Sequence, residues 1–176
     1  YYKFMGMLPD HWRGPRGLET LEISKQSAEE LTPFEVEAVR VFNSREDDFT
    51  SAWGDHLGNV LVFASSRSEA VGKDNDPWYG RKHTSLFVSY LDRAGKWSAP
   101  ELLDEGPVNT EYNEGAPSTN SSGTELFFTR CLASENIEMG CRIFVSQRQG
   151  ANWGEPSEVK LVTDSTVTVG HPAISN

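Results

Sequence analysis

The sequence lacks several things, and each absence excludes a class of protein. No apolar run approaches the ~20 residues that a membrane-crossing helix needs. Basic residues are outnumbered, 16 against 26 acidic ones, and the formal charge is −10. A surface of that sign repels phosphate backbones and anionic lipid, which sets nucleic acid aside as a partner. The four histidines, His11, His56, His83 and His171, are scattered without ligand spacing, so no zinc site is expected. Asp74, Asn75 and Asp76 lack the alternating oxygen ligands and the distal Glu of a calcium loop. There is no Gly-x-Ser-x-Gly elbow, no phosphate-binding glycine loop and no Ser-x-Asp-x-Gly-x-Thr-Trp box. No metal and no cofactor is therefore expected. Helix-type periodicity is scarce. The chain begins at Tyr1 rather than Met, and its start is read as processed or truncated.

What is present is a repeat. The 176 residues suffice for one domain with a core, and 15 Gly and five Trp mark an aromatic-rich β protein. "LFVSYLDRAGKWSAPELL" (86–103) and "IFVSQRQGANWGEPSEVKL" (143–161) share an apolar-x-Val-Ser strand, a Gly turn, a Trp and a Pro three residues later. Trp97 and Trp153 stand 56 positions apart, as do Pro100 and Pro156. The preceding halves align as well: "NVLVFASSR" (59–67) with "TELFFTR" (124–130), Phe63 with Phe128, and Asn43-Ser44 with Asn109-Thr110. Asp164-Ser165 starts a third copy. The first copy is longer because "SEAVGKDNDPWYGRKHTS" (68–85) replaces "CLASENIEMGCR" (131–142).

These spacings divide the chain. Residues 1–30 read as an N-terminal extension or linker, and 31–42 as the end of one unit. Residues 43–108 and 109–163 are complete units, and 164–176 begin another. Each complete unit reads as four strands. The two middle strands are apolar on both faces, as in a sheet covered on both sides, and the last begins at a Pro, which suits an edge. Four-stranded sheets that stack on two neighbours describe a β-propeller. The fold class expected is all-β: a partial propeller of about two complete blades plus flanking strands, within a six-bladed whole. A closed ring of six such units needs about 330 residues. A β-sandwich is the alternative; it accounts for short strands and turns but not for Trp, Gly and Pro recurring in register.

The order of these residues, from Asn43, Asp48, Phe63, Ser65 and Arg67 to Phe87, Ser89, Trp97 and Pro100, resembles the TolB-like, WD-repeat-like propeller repeat of Bacteroidota envelope proteins. The second copy carries it on Asn109, Glu114, Pro117, Gly123, Phe128, Arg130, Phe144, Ser146, Trp153 and Pro156. The resemblance covers residues 31–176. It implies a non-catalytic binding or scaffold propeller, periplasmic and outer-membrane associated. Such repeats occur in PorE-like type IX secretion components and OmpA-associated lipoproteins. It implies envelope proteins or a glycan as partners. Ala52-Trp53 depart from the family's Pro, and neither an OmpA-like domain nor convincing tetratricopeptide helices are visible.

Four carboxylates, Asp47, Asp48, Glu111 and Glu114, precede the first strand of each unit and are candidates to line a central channel. A facing pair there would suit glycoside hydrolysis, the alternative function. Equivalent repeat positions instead suggest turns and caps, because a catalytic pair is usually asymmetric. The insertion carries Trp78, Tyr79, Arg81 and His83, a candidate recognition tip or a buried loop anchor. Cys131 and Cys141 close strand ends and are disulfide candidates, or else two separate small residues. A disulfide would indicate an oxidising compartment such as the periplasm.

Overall fold

The computed structural model describes residues 11–29, 34, 37–72, 75–76, 80–134, 137–164 and 166–175. The chain divides into two compact units, Tyr1–Ala38 and Val39–Asn176. In the first, the stretch expected as an extension or linker is helical: α1 spans Arg13–Glu29. Pro15 lies in its first turn, where a missing N–H costs nothing, and Leu18, Glu19, Leu21, Glu22, Lys25 and Gln26 are good helix formers. Lys25 pairs with Glu22 at 2.8 Å on the exposed surface. Among the described residues no helix is long and apolar enough to cross a membrane.

The second unit is all β. Its first sheet runs in chain order through β1 (Asp48–Trp53), β2 (Val60–Ser65), β3 (Ser85–Tyr90) and β4 (Glu101–Leu102), each antiparallel to the last. The second sheet runs through β5 (Asn113–Thr119), β6 (Glu125–Ser134) and β7 (Ile137–Gln149). Both β8 (Asn152–Trp153) and β9 (Ser157–Glu158) then pair with β7. β4 follows Pro100 and β9 follows Pro156, so Pro starts each outermost strand, where its missing donor is harmless.

The register makes the two sheets counterparts residue by residue. Val62↔Val88, Phe63↔Phe87 and Ala64↔Leu86 in the first sheet correspond to Phe127↔Val145, Phe128↔Phe144 and Thr129↔Ile143 in the second. The hairpin turns repeat too. Asp55 Oδ1 accepts from the backbone N–H of Asn59 and Val60, and Asn120 Oδ1 accepts from Thr124 and Glu125. These Asx turns leave one residue in the left-handed region, supplied by Gly58 (φ 71°) and Gly123 (φ 66°). Gly123 has a second reason to be glycine: a Cβ would lie 2.8 Å from the carbonyl oxygen of Gly54 in the other sheet.

β1 and β5 each carry a bulge, between Phe49 and Ala52 and between Gly115 and Ser118. Each bulge holds a non-glycine residue at positive φ, Thr50 (48°) and Ala116 (46°), and His171 (56°) takes the same conformation in the third copy. That conformation is uncommon for residues with a Cβ, and its recurrence at matching positions marks it as part of the repeat.

Alternation along each strand gives the first sheet two covered faces. Val62, Ala64, Leu86 and Val88 of the first sheet pack against Val108, Leu126, Phe128 and Trp153, and all eight are buried. The opposite face of the first sheet holds Phe63 and Phe87 with Ala70, flanked by Phe42, Leu61 and Leu102. Phe128 is fully buried at the centre of the joint between the sheets, while Leu57 is 68% exposed on a turn. Phe128→Ala is expected to cost about 3–5 kcal/mol in urea unfolding, and Leu57→Ala to stay within about 0.5 kcal/mol of the parent. Equal costs for the two would contradict this packing.

Candidate functional site

Asp48 begins β1 and Glu114 lies one residue into β5, at equivalent places. Each carboxylate is clasped from two sides. The Ser44 backbone N–H and Oγ donate to Asp48 Oδ2 at 2.6 and 2.8 Å, and Thr110 likewise donates to Glu114 from its N–H (3.2 Å) and Oγ1 (2.5 Å). An arginine closes the other side: Arg67 Nη2 to Asp48 at 2.7 Å, and Arg130 Nε to Glu114 at 2.9 Å. The same guanidiniums donate to carbonyls just upstream, Arg67 to Phe42, and Arg130 to Pro107 and Val108. Each also lies over a stacked phenylalanine pair: Arg67 is 5.2 and 4.8 Å from the Phe63 and Phe87 ring centres, and Arg130 is 5.3 and 4.9 Å from those of Phe128 and Phe144.

The two arginines reach this place from different positions. Asp48 pairs across the sheet with Ser65, whereas Glu114 pairs with Arg130 itself. In the first sheet Ser65 Oγ fills the gap, donating to Asp48 at 2.6 Å and accepting from Arg67 Nε at 3.0 Å. Arg67 therefore arrives from two residues further along the chain. Burial alone would push the Asp48 carboxyl up, but donations from Ser65, Ser44 and Arg67 outweigh it and hold the group below its usual value. Burial is complete at Glu114 and wins there, pushing its carboxyl up to about 6 against the donations of Thr110 and Arg130.

An open cleft of about 1050 Å³ lies between the first strands of the two sheets, β1 and β5. Asp47, Asp48 and Glu114 line it, and Glu111 is not among its lining residues. Glu111 is exposed, and its backbone carbonyl accepts a bond from the His83 ring at 2.7 Å. Part of the insertion also reaches the cleft. Arg81 pairs with Glu46 and, at 3.4 Å, with Asp47. Lys82 Nζ donates to the carbonyls of Ser68 and Ala70, and Asn113 Nδ2 donates to Asp76 at 3.0 Å. Arg81 and His83 thus anchor the insertion to the cleft rim and to the loop before β5. Trp78 and Tyr79 lie outside the described residues.

Cys131 and Cys141 face each other across β6 and β7 and are joined in a disulfide. Cys131 lines the cleft, and the Cys141 carbonyl accepts from the Val169 N–H at 3.0 Å. The bridge therefore sits where the third copy attaches.

Residue spacing alone does not bring Asp76, Lys82 and His171 to the cleft. The signal for His171 was present in Gly170-His171-Pro172, which repeats Gly115-Ala116-Pro117. Among the described residues no group of His, Cys, Asp and Glu side chains is arranged to hold a metal ion. Chemically, the rim charges are largely paired with one another, and both Asp48 and Glu114 are committed to an arginine.

The raised Glu114 value sets a sign. Between 4.5 and about 6 the folded chain retains a proton that the unfolded chain has lost, so this contribution to stability is full below pH 4.5 and is lost as pH rises through 6. Asp48 behaves oppositely: its contribution is present above 3.8 and is lost as pH falls through its lowered folded value. Glu114→Gln is neutral at every pH, so its stability relative to the parent, read in urea unfolding, is expected to fall on acidification from pH 7 to 4.5 as the parent takes up its proton. A variant that gains on the parent over that range would show that the arginine, not burial, governs Glu114. Compared with known proteins, the chain matches no family model, no curated sequence and no solved structure.

Proposed function

We propose that this chain is a segment of a β-propeller, of the TolB-like, WD-repeat-like kind, that serves as a non-catalytic binding or scaffold module in a bacterial cell-envelope complex. The observation that carries the reading is the duplication of the carboxylate–arginine–phenylalanine cluster. Asp48 with Arg67 and Glu114 with Arg130 recur at equivalent places in the two sheets, and both carboxylates are consumed by internal bonds. Catalytic carboxylates face a substrate, whereas a repeated and internally satisfied pair serves architecture. The meander order of both sheets, and the way one face of the first is covered by the second, support blades arranged about an axis. The Cys131–Cys141 bridge supports an oxidising compartment, the periplasm. The partners are then outer-membrane or periplasmic proteins, of type IX secretion or of peptidoglycan-linked assembly.

One observation favours a second reading, glycan binding or cleavage in the cleft. The Asp47 side chain is 58% exposed there and is held by Arg81 only at 3.4 Å.

Tagging the protein in its native host, crosslinking gently and identifying co-purifying envelope proteins by mass spectrometry tests the first reading. Recovery of secretion or peptidoglycan-linked outer-membrane proteins is expected. A solitary protein, together with polysaccharide turnover that Asp47→Ala abolishes without unfolding the chain, would overturn it in favour of the second.

A further inference from the structure

Cys131 and Cys141 are directly opposed in the β6–β7 ladder, and the ladder does not need their bridge. Arg130↔Arg142 lies on one side of them, and Ala133↔Glu138 and Ser134↔Ile137 lie on the other. The first sheet holds the same register with no disulfide. One step beyond its Ser65↔Ser85 pair, the counterparts of the two cysteines are Ser66 and Thr84. There two hydroxyls do local work. Ser66 Oγ accepts from the Asp47 N–H at 3.2 Å, and Thr84 Oγ1 donates to the Glu114 carbonyl at 2.8 Å. The bridge also spans only ten positions, and closing a short loop stabilises less than closing a long one in the chain-entropy account.

The bridge lies where a reagent can reach it. Both cysteines are half-buried, and Cys131 lines the cleft. Exposed bridges are the more easily reduced ones, the labile and regulatory class. Each cysteine has an arginine beside it in the chain. Arg130 is committed to Glu114 at 2.9 Å. Arg142 donates to the carbonyl of Cys141 itself at 2.8 Å, while the carboxylate of Glu158 stands 3.7 Å from it. A guanidinium held against Cys141 favours the thiolate of that residue and makes it the better leaving group.

We propose that Cys131–Cys141 is a reversible redox site, opened by a dithiol carrier protein of the Cys-x-x-Cys type that approaches through the cleft. The carrier's thiolate attacks Cys131 Sγ, the sulfur on the cleft wall. A bond forms between the carrier sulfur and Cys131, the Cys131–Cys141 bond breaks, and Cys141 leaves as a thiolate that takes a proton from water. The carrier's second thiol loses its proton and displaces Cys131, which leaves as a thiolate and is protonated in turn. Two electrons thus pass from carrier to bridge: the carrier ends as a disulfide and this chain as two thiols. The second sheet keeps its register, as the first does with Ser66 and Thr84, and a free thiol stands in the cleft wall. The exchange is independent of both the scaffold and the glycan readings.

The whole chain is incubated with dithiothreitol or with thioredoxin, in urea below its unfolding transition, and its thiols are counted by alkylation and mass spectrometry. The rate is expected to be first order in dithiol and to change less than about twofold with urea, because no global unfolding is required. Thioredoxin, whose attacking thiol is more ionised at pH 7, should act about tenfold faster than dithiothreitol at equal concentration. Reduced glutathione, quenched with acid, should be trapped on Cys131 rather than Cys141. The double variant Cys131→Ser, Cys141→Thr, which copies the first sheet, should keep a single cooperative urea transition. The proposal is overturned by reduction that proceeds only as the chain unfolds, by thioredoxin acting more slowly than dithiothreitol, by glutathione trapped mainly on Cys141, or by a double variant that does not fold.

Discussion

A guanidinium laid on the face of a β-sheet brings five N–H donors and a charge that cannot be removed by titration. Left partly satisfied, it destabilises the sheet by several kcal/mol. Arg67 and Arg130 meet that constraint in the same way. A carboxylate on the neighbouring strand takes the charge, backbone carbonyls just upstream take further donors, and a stacked phenylalanine pair takes the flat face. Much of the fold hangs on this arrangement. Through Phe42 and Val108, each arginine ties the connection entering a sheet to that sheet's second strand. Through Asp48 and Glu114, it fixes where the first strand of each sheet begins. Val108 and Phe128 are thereby set into the joint between the sheets.

The cleft inherits its character from the same architecture. Its walls include the first strand of each sheet, so the carboxylates that mark each strand's start line it. Two of them are already clasped by arginine. The insertion at 68–85 then brings Arg81 to Glu46 and Asp47, which neutralises part of the remaining acidity. The result is a groove with a mixed and internally paired rim. The repeat also shows how one position is varied without loss of the pattern. The first sheet delivers its arginine from two residues further along and inserts Ser65, and the third copy replaces the carboxylate with Val169.

Much of this was legible in the sequence because the repeat imposes equal spacing on residues that do equal work. Trp97 and Trp153, Pro100 and Pro156, and the Ser89 and Ser146 hydroxyls, which bond to the Ser98 and Gly154 carbonyls, all fall at matching places. The all-β class, the strand order and the facing of Cys131 and Cys141 follow from the same pattern. The rest was not legible, for physical reasons. A bulge residue at positive φ leaves no mark when it is Thr50, Ala116 or His171 rather than glycine. Aligning Arg67 with Arg130 conceals that Ser65, not Arg67, shares the register position of Arg130. The helix Arg13–Glu29 is short of apolar residues and so shows little periodicity. Nothing in the order of the insertion says that Arg81 folds back onto Glu46, because that contact spans 35 positions.

In each sheet carboxylate and arginine act as one unit. Double-mutant cycles on Asp48 with Arg67 and on Glu114 with Arg130, replacing each acid by its amide and each arginine by methionine, measure this directly. Coupling of at least about 1 kcal/mol in urea unfolding is expected for both pairs. Additive losses in either pair would mean that the side chains merely lie near one another, and would contradict it.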